Sequence, residues 1–223
     1  MTRLVFVRHG ESNTTVARVI GGHRTCSGLS DLGRQQADRL RERFHATGEV
    51  AADLLISSHY ARARETAEII APALGGLDVV EDDGFGEHDP GPDCDGMGYD
   101  EYLERYGVGW WQGDPFAISF PGGETIAEFQ FRIGQTIRRT IDSYPEKTLV
   151  VVCHGGVIDA VLRLALKSPA TGGFEIFTLN TSITELHLVK DNLWRLIRYN
   201  DVGHLIGLPP HTLPPTAPPS ATV

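Results

Sequence analysis

Four short stretches of the chain carry side chains suited to handling an anion. They are Arg8-His9-Gly10-Glu11, His59-Tyr60-Ala61-Arg62, Gly86-Glu87-His88 and Cys153-His154-Gly155-Gly156. Arginine offers a planar fork of donors that matches phosphate oxygens. Histidine changes charge near neutral pH and can act as base, acid or nucleophile. A Gly-Gly turn lets backbone donors at a helix N-terminus come close to a ligand. Taken singly, each feature is ordinary: a lone histidine is more often structural, and a lone arginine more often an ion-pair partner. Two His, two Arg and one Glu brought together would suit phosphate.

Position along the chain is what joins them. Leu4–Val7 and Thr148–Val152 are short, wholly apolar runs, as expected of strands buried on both faces. Asp53–Ser57 reads as a further buried strand and Leu77–Val80 as a third. Helices are expected from about Asp31 to His45 with Ser30 as cap, from Tyr60 to Ala71 stopped by Pro72, from Glu124 to Asp142, and from Gly155 to Leu166. Ile183–Val189 and Trp194–Tyr199 read as a late strand pair turning at Asp191-Asn192. Strands alternating with helices predict an α/β three-layer αβα sandwich around a mostly parallel sheet. In such sheets ligands bind outside the carboxyl ends of the strands, where the four stretches fall. One domain is expected over 1–206, with a lid segment over about 82–122. Residues 207–223, with three Pro-Pro pairs, read as a flexible tail.

Composition narrows the partners. A net charge of -9 disfavours nucleic acid and anionic lipid surfaces. No apolar run approaches the roughly 20 residues of a membrane span, and the apolar start is too short for a signal-peptide core. Three cysteines without a CxxC pattern argue against a disulfide framework or structural zinc. A protein of a reducing cytoplasm is expected. His88, Asp89, Asp93, Cys94 and Asp95 mix hard and soft ligand types without standard spacing, so a solvated acidic loop is preferred to a metal site. Cys153, ending a buried strand, reads as a small core hydrophobe.

The ordered motifs resemble the histidine phosphatase superfamily, also called phosphoglycerate-mutase-like. Arg8-His9-Gly10-Glu11 resembles its RHGE signature, and Leu29 to Ala37 its helix-opening segment. Ser57 to Ala67 resembles its SSxxxRAxxTA stretch, Phe120-Pro121-Gly122-Gly123-Glu124 its PGGE, and Val152 to Gly156 its second histidine motif. The resemblance implies a phosphohistidine on His9, and Arg8, Arg62 and His154 around the phosphoryl oxygens. Gly155 would add backbone contact, and Glu87 would be general acid and then base. It implies no metal and no organic cofactor. The substrate would be a small-molecule phosphomonoester, with no nucleic-acid or membrane partner. Asp82, Asp83, Asp89, Asp93 and Asp95 are expected to crowd Glu87 with like charge.

Two departures stand out. Many relatives carry Asn six residues after the nucleophile; here that position is Thr15, with Asn13 nearby, and either could contact phosphate. The segment after Glu87 lacks the tryptophan of the frequent GxWEG pattern. Phosphatase activity is the leading expectation. The alternatives are cofactor-dependent mutase-type phosphotransfer, or a non-hydrolytic biosynthetic or phospho-ligand-binding member of the same fold. The aromatics Tyr99, Tyr102, Tyr106, Trp110, Trp111, Phe116 and Phe120 are expected to lie over the leaving group.

Overall fold

In the computed structural model of the chain, residues 1–107, 113–172, 174–190 and 193–210 are described. The expected turn at Asp191-Asn192, both lid tryptophans and most of the proline-rich tail lie outside them.

Six strands form one sheet: β1 (Thr2–Arg8), β2 (Leu54–Ser57), β3 (Val79–Glu81), β4 (Thr148–Cys153), β5 (Ile183–Lys190) and β6 (Leu193–Asp201). Their spatial order is β3-β2-β4-β1-β5-β6. The first four are parallel, with Leu4 opposite Leu149 and Ile56 opposite Val151, while β5 and β6 run antiparallel at one edge. Side chains alternate across the sheet, so each apolar strand feeds two cores. Leu4, Phe6, Val151 and Cys153 meet Phe129, Ile133, Val157 and Ile158 of α6 (Ile126–Ser143) and α7 (Gly155–Leu166). Val5, Val7, Val150 and Val152 meet Leu40, Phe44, Ala63 and Ala67 of α2 (Asp31–Thr47) and α3 (Ala61–Ile70) on the other face. The chain is therefore an α/β three-layer protein, as its alternating pattern predicts.

The helix ends follow local chemistry. Ser30 caps α2 by accepting from the Gly33 amide at 3.0 Å. The long helix starts two residues later than expected, because Thr125 and Glu128 form a reciprocal capping box. α3 ends at Ile70, and Pro72 sits inside a following 3-10 turn, Ala71–Leu74, rather than stopping the chain's coiling. Gly75 and Gly76, both at positive φ, then redirect the chain, which delays β3 to Val79. Three short helices lie outside these elements: α1 (Asn13–Val16), and within the lid segment α4 (Gly91–Cys94) and α5 (Tyr99–Tyr106).

Candidate active site

β1 and β4 are neighbours, so the residues that end them converge at the carboxyl edge of the sheet. His9 and His154 meet edge-to-face with ring centroids 5.1 Å apart. His9 Nδ1 lies 2.7 Å from the Gly10 carbonyl oxygen. Arg62 donates its Nε–H to His9 Nε2 at 3.1 Å. Since arginine can only donate, Nε2 must present its lone pair, and Nδ1 carries the proton it donates to the carbonyl. Burial first, then the Arg62 and Arg8 charges, hold the His9 pKa well below the usual imidazole value, against the opposing Gly10 bond.

The backbone of His9 is pinned from the turn that precedes β5. The buried Asn180 side chain donates to the His9 carbonyl at 2.9 Å, and Thr181, at φ 53°, donates its amide to Arg8 O at 2.9 Å. Thr66 of α3 accepts from the Gly10 amide at 3.1 Å. Arg8 donates to the Thr178 carbonyl, while its buried Nε has no partner among the described residues. Burial lowers the Arg8 pKa to about 10, with Glu87 opposing and Arg62 assisting.

Arg62 comes from the first turn of α3. It also donates to Gly21 O at 3.0 Å, and its guanidinium lies over the Tyr60 ring, 4.6 Å from the centroid. The same ring packs edge-on against His154 at 4.8 Å. His154 is fully buried and its Nε2 is 2.8 Å from Ser58 Oγ. Burial, then Arg62, His9 and Arg8, hold its pKa well below normal too.

Glu87 approaches from the lid side. Its Oε2 accepts from the Gly156 amide at 3.2 Å, and its Oε1 from the His88 amide at 3.0 Å. A Cβ on Gly156 would collide with Glu87 Oε1. The glycine pair therefore admits a carboxylate to the N-terminus of α7, where the sequence reading expected phosphate. Gly155 backs Arg8 instead of lining the cavity. Behind Glu87, Arg132 donates to the carbonyls of Gly84, Gly86 and Glu87 and pairs with Glu124.

Of the five lid acids expected to crowd Glu87, Asp82 and Asp95 are engaged elsewhere. Asp82 pairs with Arg139, and Asp95 collects the amides of Gly22 and Arg24, the Arg24 guanidinium and the Thr25 hydroxyl. Burial opposes, but these bonds, Thr25 first, lower the Asp95 pKa. These two acids hold loops together, and the charges acting on Glu87 include the cations Arg8 and Arg132. His88 Nε2 is 2.7 Å from Glu124 O, and Cys94 is buried against Tyr102 and Phe120. Among the described residues no group of three or more His, Cys, Asp or Glu is arranged to hold a metal.

A cavity of about 250 Å³ opens in front of His9, lined by Arg8, Arg62, Glu87 and Thr15 among others. His154 lies beside it, fully buried, and is not part of its wall. Asn13 is not part of it either: its exposed side chain donates to Ser27. Thr15 bonds Ser12 Oγ at 2.9 Å and lies at the cavity. A wider groove, about 730 Å³ over α6 and α7, is lined by Phe116, Phe131 and Leu164 and holds none of these groups. Ser58, Tyr60, Thr178 and Asn180 escaped the sequence reading as site residues. The first two sit inside a quoted motif; the others, in the loop before β5, carried no local signal.

Residues 4–202 match the family model of the histidine phosphatase superfamily, branch 1. Phosphoglycerate mutase-like protein 4 of Arabidopsis thaliana is 34% identical over 207 residues, 91% of this chain and 86% of that protein. The uncharacterized phosphatase PhoE of Bacillus subtilis is 31% identical, covering 93% and 98% of the two chains. Among solved structures, a mycobacterial glucosyl-3-phosphoglycerate phosphatase in complex with VO3 superposes with a TM-score of 0.74 at 28% identity, over 89% of this chain and 98% of that one. No helix among the described residues is long and apolar enough to cross a membrane. With the motifs, the fold and the relatives in agreement, this chain belongs to the histidine phosphatase superfamily.

Proposed function

We propose that the protein hydrolyses small-molecule phosphomonoesters through a phosphohistidine on His9 Nε2. The observation that carries this reading is the Arg62 bond to His9 Nε2, which fixes an unprotonated nitrogen at a cavity shared with Arg8 and Glu87. In the first step Nε2 attacks phosphorus and the ester P–O bond breaks. Glu87, protonated, gives its proton to the departing oxygen. Arg62 moves its donor from Nε2 to a phosphoryl oxygen, and the unpartnered Arg8 Nε supplies another. In the second step water attacks phosphorus, Glu87 takes its proton, and the P–N bond breaks. His9 returns as the neutral imidazole its surroundings favour.

Several roles follow for neighbouring residues. His154, held by Ser58 and Tyr60, packs His9 in place and adds a polar group beside the transferred phosphoryl. Thr15 contacts phosphate, and Asn13 does not. Water is favoured over a second phosphorylated substrate because the one basic residue of Asp89–Tyr106, Arg105, is engaged by Glu101 at 2.6 Å. Three buried free cysteines support a reducing cytoplasm as the setting. Release of inorganic phosphate from phenyl phosphate, lost in His9→Ala, tests the reading. No release by the wild-type protein, or equal release by the variant, overturns it.

A further inference from the structure

The cavity is lined by two chemically different sets of residues. Arg8, His9, Arg62 and Glu87 carry the groups proposed to handle the phosphoryl, with Ser12, Thr14, Thr15 and His88 as further polar liners. Val19, Ile20, Pro90 and Phe120 supply an apolar wall. Of the lid aromatics expected over the leaving group, Phe120 alone among the described residues reaches the cavity. Phe116 faces the groove on α6, and Tyr102 is buried beneath Phe120. The remaining apolar wall comes from Pro90 and from Val19 and Ile20, and no sequence signal marked the last two.

That wall is built rigidly. Ile20 and Phe120 belong to a satellite core with Cys94, Tyr102, Met97 and Leu103. Ile20 exchanges backbone bonds with the lid, its amide to Met97 O at 2.9 Å and its carbonyl from the Gly96 amide at 2.8 Å. Phe120 is held between the rings of His88 at 5.2 Å and Tyr102 at 5.1 Å. Tyr102 in turn donates to Ser119 O at 3.0 Å.

Charge is distributed just as unevenly. Among the described residues lining the cavity, the permanent cations are Arg8 and Arg62, the pair proposed for the phosphoryl, and Arg62 bonds His9 directly. His88 also lines it against Phe120, and burial first holds its pKa below the usual imidazole value, which favours the neutral ring. A second anionic group on the substrate would lose its water against Val19, Ile20, Pro90 and Phe120 with no cation to offset the loss, and with the Glu87 carboxyl nearby. An uncharged apolar or ring-bearing group would bury against the same surface favourably. The volume of about 250 Å³ sits just below the range of roughly 300–1,000 Å³ usual for drug-sized ligands.

Resting on the phosphatase reading, we infer that this wall selects phosphate monoesters of small, uncharged alcohols with an apolar or aromatic face. Bisphosphates and carboxylated esters are disfavoured. The test compares kcat/KM of the wild-type protein for phenyl phosphate, meta-carboxyphenyl phosphate and the bisphosphate of resorcinol at one ionic strength. Phenyl phosphate is expected to lead by about tenfold or more, the scale of a charge left unpaired in an apolar wall. Equal or higher values for either anionic ester overturn the inference while leaving hydrolysis at His9 intact. No release from any of the three, or release that survives His9→Ala, overturns the phosphatase reading itself. Ile20→Lys, which adds a cation to the wall, should lower the value for phenyl phosphate and raise that for the carboxylated ester. An unchanged ratio in that variant, folded by circular dichroism, removes the wall from the role.

Discussion

Glu87 occupies the N-terminus of α7 by accepting the Gly156 amide at 3.2 Å, and Gly156 lacks the Cβ that would push it away. A residue from the lid and one from the second histidine motif are thus fitted to each other. Glu87 is held by an amide donor in the wall of the cavity, where its charge acts on Arg8.

Gly156→Ala should displace that carboxylate without unfolding the helix, since alanine favours helical backbone by about 0.5–1 kcal/mol over glycine. The expected result is a drop in kcat of about 10²-fold, the lower end of the scale for a misplaced general acid, with little change in Tm. Wild-type kcat would mean that the Glu87–Gly156 contact is not used in turnover.

Arg62→Lys keeps a charge but cannot donate to His9 Nε2 and Gly21 O from one rigid fork. Activity should fall by about 10²-fold or more, the cost of a lost transition-state donor. Arg8→Lys should fall similarly. Near wild-type turnover in both would argue against a shared phosphoryl pocket.

Stability should respond to pH in two windows. His9 and His154 have folded pKa values well below 6.5, chiefly from burial. Below pH 6.5 the unfolded chain therefore binds protons that the folded chain refuses, and stability falls as pH falls, by up to about 1.4 kcal/mol per pH unit for each histidine. Burial opposes, but Arg3, His187 and Arg198 lower the Glu185 pKa from 4.5 to about 2. Its contribution is present above pH 4.5 and is lost as pH drops towards about 2. Urea midpoints measured from pH 7.5 downward should begin to fall near 6.5. A flat profile between 6.5 and 5 would contradict the buried neutral histidines.

The parts of this arrangement readable in the sequence are those set by strong local signals. β1 and β4 are unbroken apolar runs, so their place at the sheet centre and the delivery of His9 and His154 follow from pattern alone. β3 lies at an edge, with one residue half-buried and two exposed, and its start slipped because a pair of positive-φ glycines sets it. Asn13 and Thr15 could not be separated by spacing: the turn made by the Ser12 cap decides which side chain faces the cavity. Asp82 and Asp95 read as part of one acidic cluster because sequence shows charge and not partners. Asn180 reaches the site only through pairing of β5 with β1, a contact 171 residues long in the chain.

The central claim is a covalent bond between phosphorus and His9. Rapid acid-free quench of the wild-type protein with labelled phenyl phosphate, followed by peptide mapping, tests it most directly. The account predicts an acid-labile, base-stable phosphoryl adduct on the peptide carrying His9, formed before steady-state phosphate release and absent in His9→Ala. Turnover with no such adduct, or an adduct that persists in His9→Ala, would contradict it.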